Sequence, residues 1–240
     1  MRLPEIAEFS SEGDRFLGHL VDPDAAILGE LAFLDCALPF FLELGGVPFL
    51  HASAVEYRGR AIAFSTFAGG GKSSLTTGLT LRGHAFVTDD VLVLRPSAAG
   101  CQVYPGYPQI RLWKDSAERL LPAGTHDELH ATWPKRRGFV KRWAPVAEAP
   151  LPLAAIYLVE ATSDGGPVEI SDVRGQAGFF QLLENSPAVA ALDFAAQAVR
   201  TGQFGDLLRT VPLRRLRYPR DYAALPSVLA AVEADAEKLA

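Results

Sequence analysis

The run Gly69-Gly70-Gly71-Lys72-Ser73 carries the most explicit chemistry in the chain. Glycines lack a Cβ, so successive backbone N–H groups can converge on a single anion. The lysine after them supplies a mobile ammonium, and the serine hydroxyl supplies a hard oxygen ligand for a divalent cation. The pattern Gly-x-x-x-x-Gly-Lys-Ser/Thr, a P-loop that cradles nucleoside triphosphates, fits 66–73 at every position but the first, where Thr66 stands for Gly. The expected ATP ligands are Ala68, Gly69, Gly70, Gly71, Lys72, Ser73 and Ser74, with Mg²⁺ taken in part by Ser73. Downstream lies an acidic pair, Asp89-Asp90. One carboxylate there can hold a metal and the other can accept a proton from an attacking hydroxyl. His51 precedes the loop, and by spacing alone it reads first as a core histidine with its nitrogens satisfied, with a functional role as the lesser reading. Basic residues gather farther on, of which Arg111, Lys135, Arg136 and Arg137 are the candidates for phosphate or substrate contacts.

These residues need elements to hold them. The apolar run 61–65 predicts a strand, 66–71 a loop, and 72–81 a helix with Leu75 and Leu79 on one face and Gly78 beside them. Arg82-Gly83 ends that helix, and 85–87 predicts the strand that delivers Asp89-Asp90. Strand, glycine loop, helix, strand and acidic pair is the order of a phosphate-binding α/β unit. Upstream, 47–50 and 54–57 predict short strands, and 24–38 a helix capped by Asp24 and broken at Pro39. Downstream, the prolines of 100–138 predict loops and short helices, one of them at 117–121. A strand is expected at 153–160 with a partner at 168–170, helices at 175–183 and 188–201, an edge strand at 211–218 because Pro212 cannot donate, and a closing helix at 226–239.

The fold expected is α/β, a mixed sheet with flanking helices, in one domain spanning 1–240 with 1–46 as a helical extension packed on it. With 49% hydrophobic and 21% charged residues over 240, the chain can bury a sizeable core. A net charge of −5 argues against a general nucleic-acid binder. Two scattered cysteines, Cys36 and Cys101, suit a reducing cytoplasm and give no disulfide framework or Cys-rich zinc site. The most apolar stretch, 25–44, contains Glu30, Asp35, Glu43 and Pro39, so it reads as buried helix and not as a membrane span. No targeting segment is visible at 1–13.

Taken together, Leu50-His51, the 61–65 strand, Gly69 to Ser73, Leu81-Arg82-Gly83-His84 and Val87-Thr88-Asp89-Asp90 resemble the kinase domain of HPr kinase/phosphorylase. They resemble more closely the shorter HPr-kinase-like proteins of bacterial peptide-maturation clusters, including lasso-peptide kinases. The strong match covers 49–94, with weaker echoes at 107–113, 152–160 and 211–225. The resemblance implies a P-loop kinase of the HPr kinase/PEP carboxykinase type, using ATP and Mg²⁺ to phosphorylate a serine of a peptide or small protein. By it, Asp89 is the proton acceptor, His51 its orienting neighbour, Lys72 and Ser73 the phosphate and metal contacts, and Asp90 a metal ligand; the two Asp roles are interchangeable at this stage. HPr kinases are oligomers, which leaves a homo-oligomer open. The sequence departs from the family at Thr66, at Phe67-Ala68 and at Ala52 after His51, and only about fifty residues precede His51. A small-molecule alcohol kinase and a nucleotide-binding sensor or scaffold that has lost catalysis are the alternative functions.

Overall fold

The computed structural model describes residues 1–12, 15–22, 26–67, 69–97, 99–128, 134–163, 165–186, 189–190 and 192–239. The chain begins with a three-stranded antiparallel meander, β1 (Arg2–Leu3), β2 (Ala7–Glu12) and β3 (Arg15–Leu20). The described residues ahead of α1 are therefore strands and a turn, and not the helical extension expected. Helix α1 (Ala26–Ala32) then runs through a π-helical turn at Phe33–Ala37 into α2 (Leu38–Leu44). Pro39 does not break it. The wider turn lets the Leu38 N–H reach Phe33 O, and Pro39 falls in the first turn of α2, where its missing donor costs little. The expected cap, Asp24, lies outside the described residues.

The main sheet is mixed and, among the described residues, has nine strands. It takes in β4 (Phe49–Leu50), β5 (Ala52–Tyr57), β6 (Arg60–Ser65), β7 (Phe86–Thr88), β8 (Leu92–Ser97), β9 (Gly100–Tyr104), β13 (Leu151–Thr162), β14 (Glu169–Val173) and β15 (Leu213–Pro219). Helix α3 (Lys72–Leu81) follows β6, α5 (Gly175–Glu184) and α6 (Phe194–Thr210) precede β15, and α7 (Leu225–Ala236) follows it. Across the centre the order is β7-β5-β6-β13-β15, with β6 and β15 both parallel to β13. Helix α6 begins later than expected; Ala188, its expected start, is outside the described residues.

Strand β13 shows why the sheet is central. Its Ile156 and Leu158 pack on one face with Leu182 of α5 and Phe204 and Leu207 of α6. Its Ala155, Tyr157 and Val159 pack on the other with Leu75 and Leu79 of α3 and Val228, Leu229 and Val232 of α7. A strand with helices on both faces has no polar side, which is why its sequence is a continuous apolar run. Strand β15 is interior, not an edge: it pairs with β13 on one side and β14 on the other. Pro212 stands just ahead of it and contributes only its carbonyl, to Ile156 N–H at 3.1 Å, so no ladder bond is lost.

The middle of the chain is more regular than its prolines suggest. Strands β10 (Gln109–Trp113), β11 (His126–Glu128) and β12 (Lys135–Phe139) form a small antiparallel sheet in the order β10-β12-β11, beside α4 (Lys114–Leu120). Ile110, Leu112, Ala117, Leu121 and Val140 give it a core of its own that includes Phe86. Among the described residues no helix is long and apolar enough to cross a membrane.

Candidate functional site

Four segments meet at the carboxyl end of β6. The first is the glycine loop. Gly69 and Gly71 have φ of 80° and 102°, conformations that side-chain-bearing residues rarely adopt, and Gly71 N-caps α3. Gly70 is needed for a different reason. A Cβ there would lie 2.3 Å from Thr66 Cγ2 and 2.5 Å from Thr66 Oγ1. Thr66 itself is outside the left-handed region, so that position has no conformational need for glycine. Ala68 lies outside the described residues.

The second segment is the start of α3. Lys72 is 5% exposed. Its ammonium donates to Thr66 O at 3.0 Å and approaches His51 Nε2 at 3.1 Å. His51 sits in the bend between β4 and β5, where its Nδ1 lies 3.1 Å from Asp90 O. A carbonyl only accepts, so Nδ1 carries the proton and Nε2 receives the lysine. Burial, and then the Lys72 charge, depress the His51 pKa below its usual value. Burial also depresses Lys72, against the pull of Asp90 and Asp89.

The third segment is the acidic pair after β7. Asp89 is enclosed by donors. Ser53 Oγ and Ser73 Oγ donate to its Oδ1 at 2.5 and 2.9 Å, and Arg111 N–H donates to its Oδ2 at 3.1 Å. Asp90 adopts φ of 66°, a left-handed conformation that aspartate tolerates better than most residues. Extended neighbours would point to opposite faces; this turn instead places Asp90 on the cleft beside His51 Nδ1, at 3.9 Å from Oδ1. The two carboxyls are driven apart electrically. Burial, and then the Asp90 charge, push Asp89 above the usual carboxylate range. Burial would raise Asp90 as well, but Arg111 above all, with His51, Lys135 and Lys72, holds it below that range.

The fourth segment is the small sheet. Arg111, 7% exposed, donates from Nη2 to Asp90 Oδ2 at 2.7 Å and uses both Nη atoms on the carboxylate of Asp35 in the π turn. Lys135, paired with Trp113 across β10 and β12, also reaches the cleft. Arg136 and Arg137 do not. Arg136 pairs with Glu128 of the neighbouring strand β11 at 2.6 Å, within the sheet, and Arg137 with Glu30 of α1 at 3.5 Å, which ties the sheet to the N-terminal helix.

One cleft of about 1010 Å³ unites these parts, lined by His51, Gly69 to Ser74, Asp90, Arg111 and Lys135. Asp89 lies behind that wall, reached through Ser73. Asp35, Ser53, Tyr218, Arg220 and Tyr222 belong to the site and were not singled out in the sequence. Ser53 alone left a signal, its place two residues beyond His51. The donors around Ser73 and Asp89 are hard oxygens suited to Mg²⁺, and a carboxylate raised by burial is one that a cation would restore to its charged form. Among the described residues no cluster of three or more His, Cys, Asp or Glu could hold a metal without help from a ligand.

No protein-family model matches the chain, and no curated protein matches it. Among solved structures, the HPr(Ser) kinase/phosphatase from Coxiella burnetii is similar, at 13% identity and a TM-score of 0.45 over 79% of this chain and 97% of that one. At that level of likeness, no functional assignment rests on it.

Proposed function

We propose that the chain is an ATP-dependent P-loop kinase that transfers the γ-phosphoryl group to a serine hydroxyl of a peptide or small protein. The observation that carries this reading is the 2.9 Å hydrogen bond from Ser73 Oγ to Asp89 Oδ1, which couples the first turn of the loop helix to the acidic pair. A hydroxyl and a carboxylate in that relation are the protein's share of a Mg²⁺–nucleotide site. Mg²⁺ held there would neutralise charge on the phosphates. Lys72 would leave Thr66 O and His51 for the phosphoryl oxygens, and the loop amides would receive the remaining charge.

The geometry favours exchanging the two aspartate roles. Ser73 contacts Asp89, which therefore fits the metal side. His51 and Arg111 contact Asp90, which faces the cleft and is held ionised. The serine oxygen forms the new bond to the γ-phosphorus, its proton passes to Asp90, and the bond to the β-phosphate oxygen breaks to release ADP. The acceptor class comes from the sequence resemblance across 49–94.

Isothermal titration with ATP and Mg²⁺, followed by phosphoryl transfer to serine peptides and to metabolite alcohols, tests the reading. Lys72→Ala should remove most ATP affinity. Asp90→Asn should keep ATP binding and reduce transfer at least a hundredfold, in the range of a lost general base. A wild-type protein with no ATP affinity overturns the proposal. ATP consumption only with metabolites moves it to the small-molecule class.

A further inference from the structure

The cleft extends past the glycine loop in the direction away from the acidic pair. There it is walled by Ala161, Tyr218, Arg220, Asp221, Tyr222 and Leu225, which neither the loop motif nor the proton-transfer chemistry uses. We propose that this end, formed by the turn after β15, is the subsite for the base and ribose of a purine nucleotide whose phosphates lie in the glycine loop. The inference rests on the nucleotide reading above and deepens it.

Sheet order sets the direction. The acidic pair follows β7, two strands from β6 on one side. The 219–224 turn follows β15, two strands from β6 on the other. A nucleotide with its terminal phosphate toward Asp90 must extend its base toward β15. That end is attached to the loop. Arg220 Nη2 donates to Gly69 O at 3.2 Å, and a Cβ on Gly71 would meet the Tyr218 hydroxyl at 2.3 Å. A group leaving the loop therefore passes directly onto these residues.

The chemistry suits a flat, uncharged ring bearing a sugar. Tyr222 is already fixed. Its hydroxyl lies 2.5 Å from Ser116 Oγ and the Arg119 guanidinium covers its ring at 5.0 Å, which leaves the rest of the ring to the cleft. Leu225 and Ala161 add apolar surface. The Arg220 guanidinium is a planar cation that stacks on aromatic bases, and Asp221 brings a carboxylate for ribose hydroxyls. The other aromatic at the cleft, Trp113, is less suited. Lys135 lies over its ring at 5.8 Å, and it stands on the strand of Arg111, where the hydroxyl acceptor must enter.

Titration with Mg²⁺–ATP and with inorganic tripolyphosphate separates the base from the phosphates. The wild type should bind ATP at least tenfold more tightly than tripolyphosphate, the contribution of about one stacked ring. Tyr222→Ala should erase most of that preference and leave tripolyphosphate affinity within about twofold, whereas Arg220→Ala, which also loses its bond to Gly69 O, should weaken both ligands and weaken ATP the more. Retained tripolyphosphate binding shows that the Tyr222→Ala variant is folded with the loop intact. A Tyr222→Ala protein that does not fold leaves Arg220→Ala, on an exposed side chain, to decide. Unchanged preference in Arg220→Ala, or loss of preference in Trp113→Ala instead, overturns the subsite. Equal wild-type affinity for the two ligands also overturns it and leaves the phosphate cradle standing; a wild type that binds neither brings down the nucleotide reading itself.

Discussion

Thr66 and Gly70 form a compensating pair. The motif's first glycine is absent, yet the space it would leave is supplied from the other side of the loop, where Gly70 has no Cβ to meet Thr66 Cγ2. Gly70→Ala should overpack the turn by about 1–3 kcal/mol and weaken nucleotide binding accordingly. Thr66→Gly in the same molecule should recover most of the loss. A double variant as weak as Gly70→Ala alone would show that the middle glycine serves something other than Thr66. His51 makes a second prediction at this scale. Its pKa is depressed in the folded state, chiefly by burial. The unfolded chain therefore takes a proton that the folded chain refuses, and stability falls as pH drops through the ordinary histidine value of about 6.5. Thermal unfolding at about pH 8 and about pH 6 should show a larger drop for the wild type than for His51→Gln. Equal drops would mean that His51 is protonated in the folded protein.

The helical segment running from α1 to α2 carries two of its acids, Glu30 and Asp35, to the small sheet. Glu30 meets Arg137, and Asp35, in the π turn, takes both Nη atoms of Arg111. π turns recur at functional sites because the added residue rotates the next turn of helix, and here it lies where the N-terminal segment touches the cleft. Asp35→Ala would leave the mostly buried Arg111 charge to Asp90 alone. A loss of about 1.5–3 kcal/mol in urea denaturation is expected, the range for hydrogen bonds to charged groups, and toward its lower end because Asp35 is partly exposed. A loss below about 0.5 kcal/mol would show the contact to be incidental. None of this was legible in the sequence, because Asp35 and Arg111 are 76 residues apart and nothing local marks them as partners. Helix α3 was legible at both ends, since its start is a glycine turn and its stop is Arg82-Gly83, both local signals. Strand β13 was legible in its apolar centre and missed at its margins, Leu151 and Thr162. Strands β10 and β12 were hidden. Their arginines suggest surface, and only acids brought in from α1, the π turn and β11 make them interior. The acidic pair was legible in place but not in partners, because the left-handed Asp90 exchanges which carboxylate faces His51.

At the scale of the whole molecule, the question is what holds the N-terminal segment, which supplies Asp35, against the sheet that supplies the glycine loop. Glu43 of α2 and Arg200 of α6 answer it. Each is 2% exposed, their Oε2 and Nη2 lie 2.6 Å apart, and Ser186 adds a bond to Glu43 Oε1 at 3.4 Å. Burial works against both charges, raising Glu43 and lowering Arg200, so each is tolerable only with the other. Arg200→Met should strand the Glu43 charge and cost about 3–5 kcal/mol. It should also loosen α2, and with it Asp35 and the grip on Arg111. Adding Glu43→Leu removes the stranded charge and should restore most of the stability, since apolar replacement of a buried pair is often neutral. Denaturation followed by tryptophan fluorescence reads both variants. If the double variant is no more stable than Arg200→Met, the pair is holding the segment through directional bonds that packing cannot replace.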